Sequence, residues 1–201
     1  MPTIVPSDLH PRDAYRLMIS ILVPRPSAWV STQGQDGFFN LAPYSFFNGV
    51  GGTPPTIMVA MGQRQGKPKD SLRNIQQTGE FVVNIVGAEL AQQMNLSSGE
   101  YAPDVDEFAL AGLETAPSID VRPPRVAHVP AAMEVKLSQI VPVEGTTYTM
   151  VIGRILRYHL REGLLRPHGL VDPQLLNPLA RLGGDEYALL GDIFELKRPA
   201  A

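Results

Sequence analysis

Asp36-Gly37 lies between two short apolar runs, 28–32 and 38–41. An Asp-Gly pair flanked in this way is a strong hairpin signal, because the tight turn that matches strand twist needs residues tolerant of positive φ. The first arm is read as a strand over 28–32 and 33–37 as its polar turn. The second arm runs back through Phe38, Phe39, Asn40 and Leu41 and is expected to break at Pro43. The surrounding stretch, 24–47, holds the only tryptophan and four of the seven phenylalanines, beside a cluster of small hydroxyl residues. Such a hairpin is either a packed core element or a platform that holds a flat ring by its backbone. Spacing does not separate the two.

The rest of the chain keeps to short pieces. Its 19 prolines and 18 glycines fall between brief apolar runs, the pattern of many strands joined by turns rather than of a helical bundle. Segments 56–61 and 81–86 are continuous apolar runs of strand length, suited to burial on both faces. Segment 133–141 alternates apolar and polar residues and pairs, across a Glu144-Gly145 turn, with a return strand over 148–159. Helices are expected to be short. One is capped by Ser7 or Asp8 and reaches about Ser20, with Leu9, Ala14, Leu17, Met18 and Ile21 as its stripe. A second begins at Asp70 or Ser71, with Gly79 as its C′ residue. Two more fall between 88 and 113, separated by an elbow of Asp104, Asp106 and Glu107 that reads as a solvated loop. Segment 48–55 is expected to be a flexible glycine-rich loop. Beyond Arg161 the chain is irregular but too apolar for a free linker, so it should pack on something, a second subunit being one choice.

At 201 residues the chain is expected to form one domain, 1–201, with a C-terminal extension from about 163. A net charge of −3 argues against a nucleic-acid footprint, which needs a basic face. The absence of cysteine removes disulfides, thiolate metal sites and Cys nucleophiles. No apolar run approaches the roughly 20 residues of a membrane span, and the start lacks a signal-peptide pattern, so the expected location is cytoplasmic.

Few residues carry chemistry on their own. Gly62, Gly66 and Lys67 approach a P-loop, but the glycine spacing is short and Pro68 stands where Ser or Thr must ligate Mg²⁺. The four histidines, His10, His128, His159 and His168, have no partner at metal-ligand spacing. His159 sits among Arg154, Arg157 and Arg161 and reads as part of a solvated basic face. Neither Gly-x-Ser-x-Gly nor a dinucleotide-binding glycine pattern is present. Lys69, just before a helix start, offers a cation beside free N–H groups and a positive dipole end. An ordinary capped surface helix with a solvated lysine explains the same residues.

Several co-linear motifs go further. Pro24-Arg25-Pro26-Ser27-Ala28-Trp29-Val30-Ser31-Thr32, Asn40-Leu41-Ala42-Pro43-Tyr44-Ser45-Phe46-Phe47, Pro54-Pro55, Lys69-Asp70-Ser71-Leu72-Arg73-Asn74-Ile75, Thr78-Gly79-Glu80-Phe81-Val82-Val83-Asn84 and Arg181-Leu182-Gly183-Gly184 resemble the flavin reductase-like family of FMN-binding split barrels. The resemblance implies a mainly β fold with added short helices, a six-stranded antiparallel Greek-key split barrel, usually a homodimer with FMN near each subunit interface. It places Ser31 and Thr32 along the flavin, and Asn40, Leu41, Ala42, Pro43, Tyr44 and Ser45 around the isoalloxazine. Lys69 and Ser71 hold the phosphate, while Arg181 and Tyr187 approach the flavin or the partner. Ser27 stands where the family more often has Ile or Val, and Ser71 where it more often has Thr. The long tail matches the longer branch of the family rather than the minimal two-component reductases.

The activity implied is an NAD(P)H-dependent FMN oxidoreductase passing hydride from NADH or NADPH to flavin N5, with a small molecule or electron acceptor downstream. No catalytic side chain and no metal ligand are named. The alternatives are a non-enzymatic FMN-binding protein for electron transfer or storage and, more distantly, a pyridoxamine-phosphate-oxidase-like split barrel.

Overall fold

In the computed structural model, residues 1–199 are described. The fold is built on one antiparallel sheet of eight strands: β1 (Ala28–Gln33), β2 (Phe39–Tyr44), β3 (Phe47–Gly52), β4 (Pro55–Arg64), β5 (Lys67–Pro68), β6 (Glu80–Ile85), β7 (Ala131–Pro142) and β8 (Tyr148–Leu160). Their order is β2-β1-β6-β7-β8-β4-β3, with β5 pairing β4. The sheet curls enough for β2, at one end, to touch β4. Eight strands therefore stand where six were expected, the short β3 and β5 among them.

The period of two explains why the central strands read as unbroken apolar runs. Phe81 and Val83 face one core with Ala28, Val30, Met61, Val135 and Val151, whereas Val82 faces a second with Trp29, Leu41, Met94 and Phe108. A strand covered on both sides has no polar face to show. The first core is closed by α2 (Asp70–Thr78), through Leu72 and Ile75. The second is covered by α3 (Ala91–Leu96) and α4 (Glu107–Leu110). Trp29 is fully buried there and donates its indole N–H to Ser97 Oγ at 2.8 Å.

Three elements differ from the sequence expectation. The N-terminal helix is α1, Pro11–Ile21, capped by His10 Nδ1; residues Pro6–Asp8 form only a 3₁₀ turn. Proline pushes its preceding residue out of the α region and itself suits the first helical position, so Pro11 starts the helix instead of lying inside it. Of α1 only Ile19 is buried, and the expected stripe lies open at Leu17, Met18 and Ile21. Segment 48–55 is no flexible loop: most of it is β3, paired with β4 through a bulge between Gly49 and Gly51. Strand β2 also continues through Pro43, because that position faces away from β1, where no ladder donor is needed.

The tail splits into two parts. Leu164 and Leu179 are buried, and Leu179 N–H bonds Val86 C=O at 2.9 Å. Arg25 anchors the turn that follows: its guanidinium donates to the carbonyls of Ile19 at 2.5 Å, Leu22 at 2.6 Å and Leu182 at 2.7 Å. Those bonds satisfy the end of α1 and hold the Leu182-Gly183-Gly184 turn against it. Beyond Ala188, the side chains of Leu189, Ile193, Phe194 and Leu196 are exposed.

His159 is not part of a solvated basic face. Its ring meets the fully buried Glu134 at 2.5 Å, and Glu134 also accepts from the backbone N–H groups of Ile119, Asp120 and Val121. Burial raises the Glu134 pKa, but these bonds outweigh it and hold the carboxyl below its usual range.

Gly153 marks a tight approach between core side chains of the barrel. A Cβ there would meet Val135 Cγ1 at 2.4 Å and Phe81 Cζ at 2.9 Å. Gly153→Ala is expected to cost about 1–3 kcal/mol through overpacking. Urea unfolding measures it, with a lowered midpoint and an unchanged slope as the expected result.

Candidate functional site

Strand β2 is an edge strand, and its outward side faces a cleft. The Leu41 N–H, which points away from β1, is taken by Glu107 Oε2 at 3.0 Å. Two residues on, Pro43 has no N–H to offer. The edge is thus blunted at two of its outward positions, by a carboxylate from α4 and by a proline. Beside it opens a cleft of about 540 Å³, walled by β2, the β4–β5 turn, the N-terminus of α2 and the 97–103 loop.

The start of α2 breaks a common rule. Its N-cap residue is Lys69, with no side-chain cap, where Ser, Thr, Asp or Asn would ordinarily accept from the first-turn N–H groups. Those donors stay available and the dipole adds positive potential. The Lys69 ammonium lies 5.7 Å from the centre of the Tyr44 ring. Among the described residues neither Lys69 nor Lys67 has a carboxylate partner, whereas Arg73 is paired with Asp70 at 2.5 Å and Arg64 with Glu100 at 3.2 Å. Arg64 also donates to Tyr101 C=O at 2.9 Å and so fixes the opposite wall.

Tyr44 lines the cleft, and its hydroxyl is buried beside Ser71 without a well-aligned hydrogen bond. Burial pushes its pKa up to about 12; Ser71 lowers it in part, and Asp70 and Glu107 add to the rise. It therefore stays a donor. The Ser71 hydroxyl accepts from Asn40 Nδ2 at 2.8 Å, leaving its own proton to give. An uncapped helix start, two unpaired lysines and an unmatched tyrosine hydroxyl suit an anion with several acceptor oxygens, as a phosphate has.

Pro43, Tyr44 and Lys69 also line a second, smaller cleft of about 230 Å³, which continues past Ser45 and Phe46 to Tyr148. Phe46 and Tyr148 sit there with ring centres 5.5 Å apart. An anion site and an aromatic-walled slot thus meet at Tyr44.

The residues singled out from the sequence divide cleanly. Asn40, Ala42, Pro43, Tyr44, Lys69 and Ser71 come together in the larger cleft, and Ser45 joins from the smaller one. Ser31 and Thr32 are fully buried with their hydroxyls engaged inside the fold: Ser31 donates to Pro124 C=O at 2.6 Å, and Thr32 accepts from Asn74 at 3.1 Å. Leu41 turns its side chain into the second core. Arg181 and Tyr187 hydrogen-bond each other on a small sheet beside Arg25-Pro26 and line neither cleft.

Glu107 was missed. It is not a solvated elbow residue but 7% exposed, on the cleft wall. The signal was its neighbours: Asp106 caps α4 and Phe108 is buried, so the residue between them could not lie in an open loop. Burial raises its pKa to about 7 against the pull of the Leu41 N–H, and Asp70 and Asp106 add to the rise.

Known proteins agree with this architecture. The sequence profile of the flavin reductase like domain matches residues 20–178. Nitrilotriacetate monooxygenase component B from Bacillus cereus is 35% identical, covers 98% of both chains and superposes with a TM-score of 0.94. A 2-nitrobenzoate 2-nitroreductase from Pseudomonas fluorescens is 33% identical over 98% of this chain and 96% of its own, with a TM-score of 0.89. A split-barrel protein from Shewanella frigidimarina, 24% identical and covering 96% of each chain, shares the fold at a TM-score of 0.87. With the profile spanning most of the chain and the split barrel matched almost end to end, this protein belongs to the flavin reductase-like family.

Proposed function

We propose that this protein binds FMN and reduces it with NADH or NADPH. The observation that carries the reading is the junction at Tyr44: an uncapped, lysine-flanked helix start meets a slot walled by aromatic rings and by the backbone of 43–45. Those are the two ends of a flavin mononucleotide. Lys69, the first-turn N–H groups of α2, Ser71 and the Tyr44 hydroxyl would hold the phosphate. Pro43, Tyr44 and Ser45 would line the ring. Ser31 and Thr32 would support that platform from beneath, through the β1–β2 ladder.

When bound, the flavin supplies the redox chemistry, accepting hydride at N5 from a reduced nicotinamide. The chain's own part is binding, orientation and exclusion of water, so no side-chain acid or base is required. Component B in the name of the Bacillus cereus relative implies a component A, which favours a partner oxygenase as consumer of the reduced flavin.

A homodimer completes the reading. An apolar groove of about 1210 Å³ runs between α1 and strands β3, β4 and β8, past Tyr15, Met18, Ile21, Phe46 and Met58. It shares Tyr15, Phe46 and Tyr148 with the smaller cleft. A second copy seated in the groove would therefore border the ring end of the flavin site.

Three measurements test this. Anaerobic addition of NADH or NADPH to the FMN-loaded protein should bleach the visible flavin band with turnover on added FMN. A yellow protein that does not respond is an electron-transfer or storage protein instead. Lys69→Ala is expected to weaken FMN by about tenfold or more, the scale of one charge-assisted bond, with riboflavin little changed; equal loss for both ligands removes the phosphate assignment. Ile21→Glu should shift sedimentation from dimer to monomer and loosen FMN with it. A wild-type monomer that holds FMN refutes the dimer.

A further inference from the structure

We propose that Glu107 is a positioning and specificity residue of the flavin site: it fixes the ring-bearing edge strand through Leu41 and, when charged, discriminates against the phosphate-bearing ligand. The proposal rests on the FMN reading above and deepens it.

The geometry sets two tasks on one side chain. Glu107 Oε2 holds the Leu41 N–H at 3.0 Å, in the middle of the strand whose residues 40 and 42–44 line the cleft. The same side chain stands on the wall of that cleft, 7% exposed. An anion bound at Lys69 would share that cleft with it. Like charges in such a space oppose each other, and burial weakens the screening by water and salt.

The charged groups around Glu107 set the balance. Asp106 on its own helix and Asp70 on α2 raise the cost of its charge. Across the cleft stand Lys69 and Arg73 of the α2 start, Arg64 and Lys67 of the β4–β5 turn, Glu100 and Tyr101 of the loop, and Tyr44 of β2. Of the cations, Arg73 and Arg64 are committed to Asp70 and Glu100. Lys67 and Lys69 remain to attract the ligand, and burial brings the titration of Glu107 up to about 7.

The sign follows. Below pH 7 Glu107 is neutral and does not oppose a dianion; above it the carboxylate does. Affinity for FMN therefore falls as pH rises through 7, relative to riboflavin, which has no phosphate. Conversely, FMN favours the neutral acid and raises its pKa further, so binding above pH 7 takes up protons.

The test uses the flavin-free protein, titrated with FMN and with riboflavin between pH 6 and pH 8 and followed by flavin fluorescence. The phosphate has its own second ionisation near pH 6, so wild type is compared with Glu107→Gln, which keeps an acceptor for the Leu41 N–H but carries no charge. The preference for FMN over riboflavin should drop about fivefold more in wild type than in Glu107→Gln across this range, the size of one screened charge contact. Identical pH profiles overturn the proposal. Calorimetry of the wild type at pH 8 in two buffers of different ionisation heat gives a reading independent of the variant's folding. There FMN is already a dianion, and net proton uptake is expected with FMN and not with riboflavin; no uptake overturns the assignment. Failure to bind either flavin at any pH sinks the cofactor reading as well, whereas tight binding of both without pH discrimination removes only the role given to Glu107.

Discussion

An edge strand exposes a row of backbone donors that must be paired, hidden or removed, and the site depends on how β2 meets that demand. One side is closed by β1, in a ladder that runs from Ala28↔Tyr44 to Gln33↔Phe39. On the other side Leu41 gives its N–H to Glu107 and Pro43 has none. No further strand can pair there, so the margin stays open as a cleft wall. A continuous ladder at this edge would have covered the site. The carboxylate that prevents it is consequently buried in the same cleft as the uncapped, lysine-flanked start of α2.

The start of α2 shows the complementary exception. Most helices satisfy their first N–H groups with a local side chain; this one carries lysine at that position and satisfies none of them. A sequence that breaks a local rule loses stability there unless something else supplies the missing acceptors. A phosphate would do so, and the buried Tyr44 hydroxyl beside it has no well-aligned partner either. Two independent deficits in one cleft are a stronger argument than either alone.

This contrast explains what could be read from the chain without coordinates. The β1–β2 hairpin, the β7–β8 hairpin and α2 with its left-handed Gly79 followed from local chemistry: an Asp-Gly turn, alternation beside a Glu-Gly turn, a C-terminal glycine. The reading of Lys69 and Ser71 as phosphate ligands rests on resemblance, since a capped surface helix writes nearly the same residues. Glu107 was hidden because its burial comes from β2, more than sixty residues earlier in the chain. Pro43 misled for the opposite reason: proline ends a central strand but fits an edge, and edge or centre is decided by sheet order. His159 joined a buried carboxylate on the neighbouring strand, a cross-strand pairing that the arginines around it concealed.

The open face of α1 makes the same argument at the next level of assembly. Its stripe, Leu17, Met18 and Ile21, has the spacing of a buried helix face yet lies exposed, and the groove it borders runs into the slot where a flavin ring would rest. Helical periodicity specifies that a face must be covered without saying by what. Within this chain, Arg25 and the Leu182 turn tie down only the end of α1. Covering the remainder from a second copy would bury the stripe and shelter the ring end of the cleft in one step. That would leave the phosphate end, with Lys69 and Glu107, to be built by a single chain.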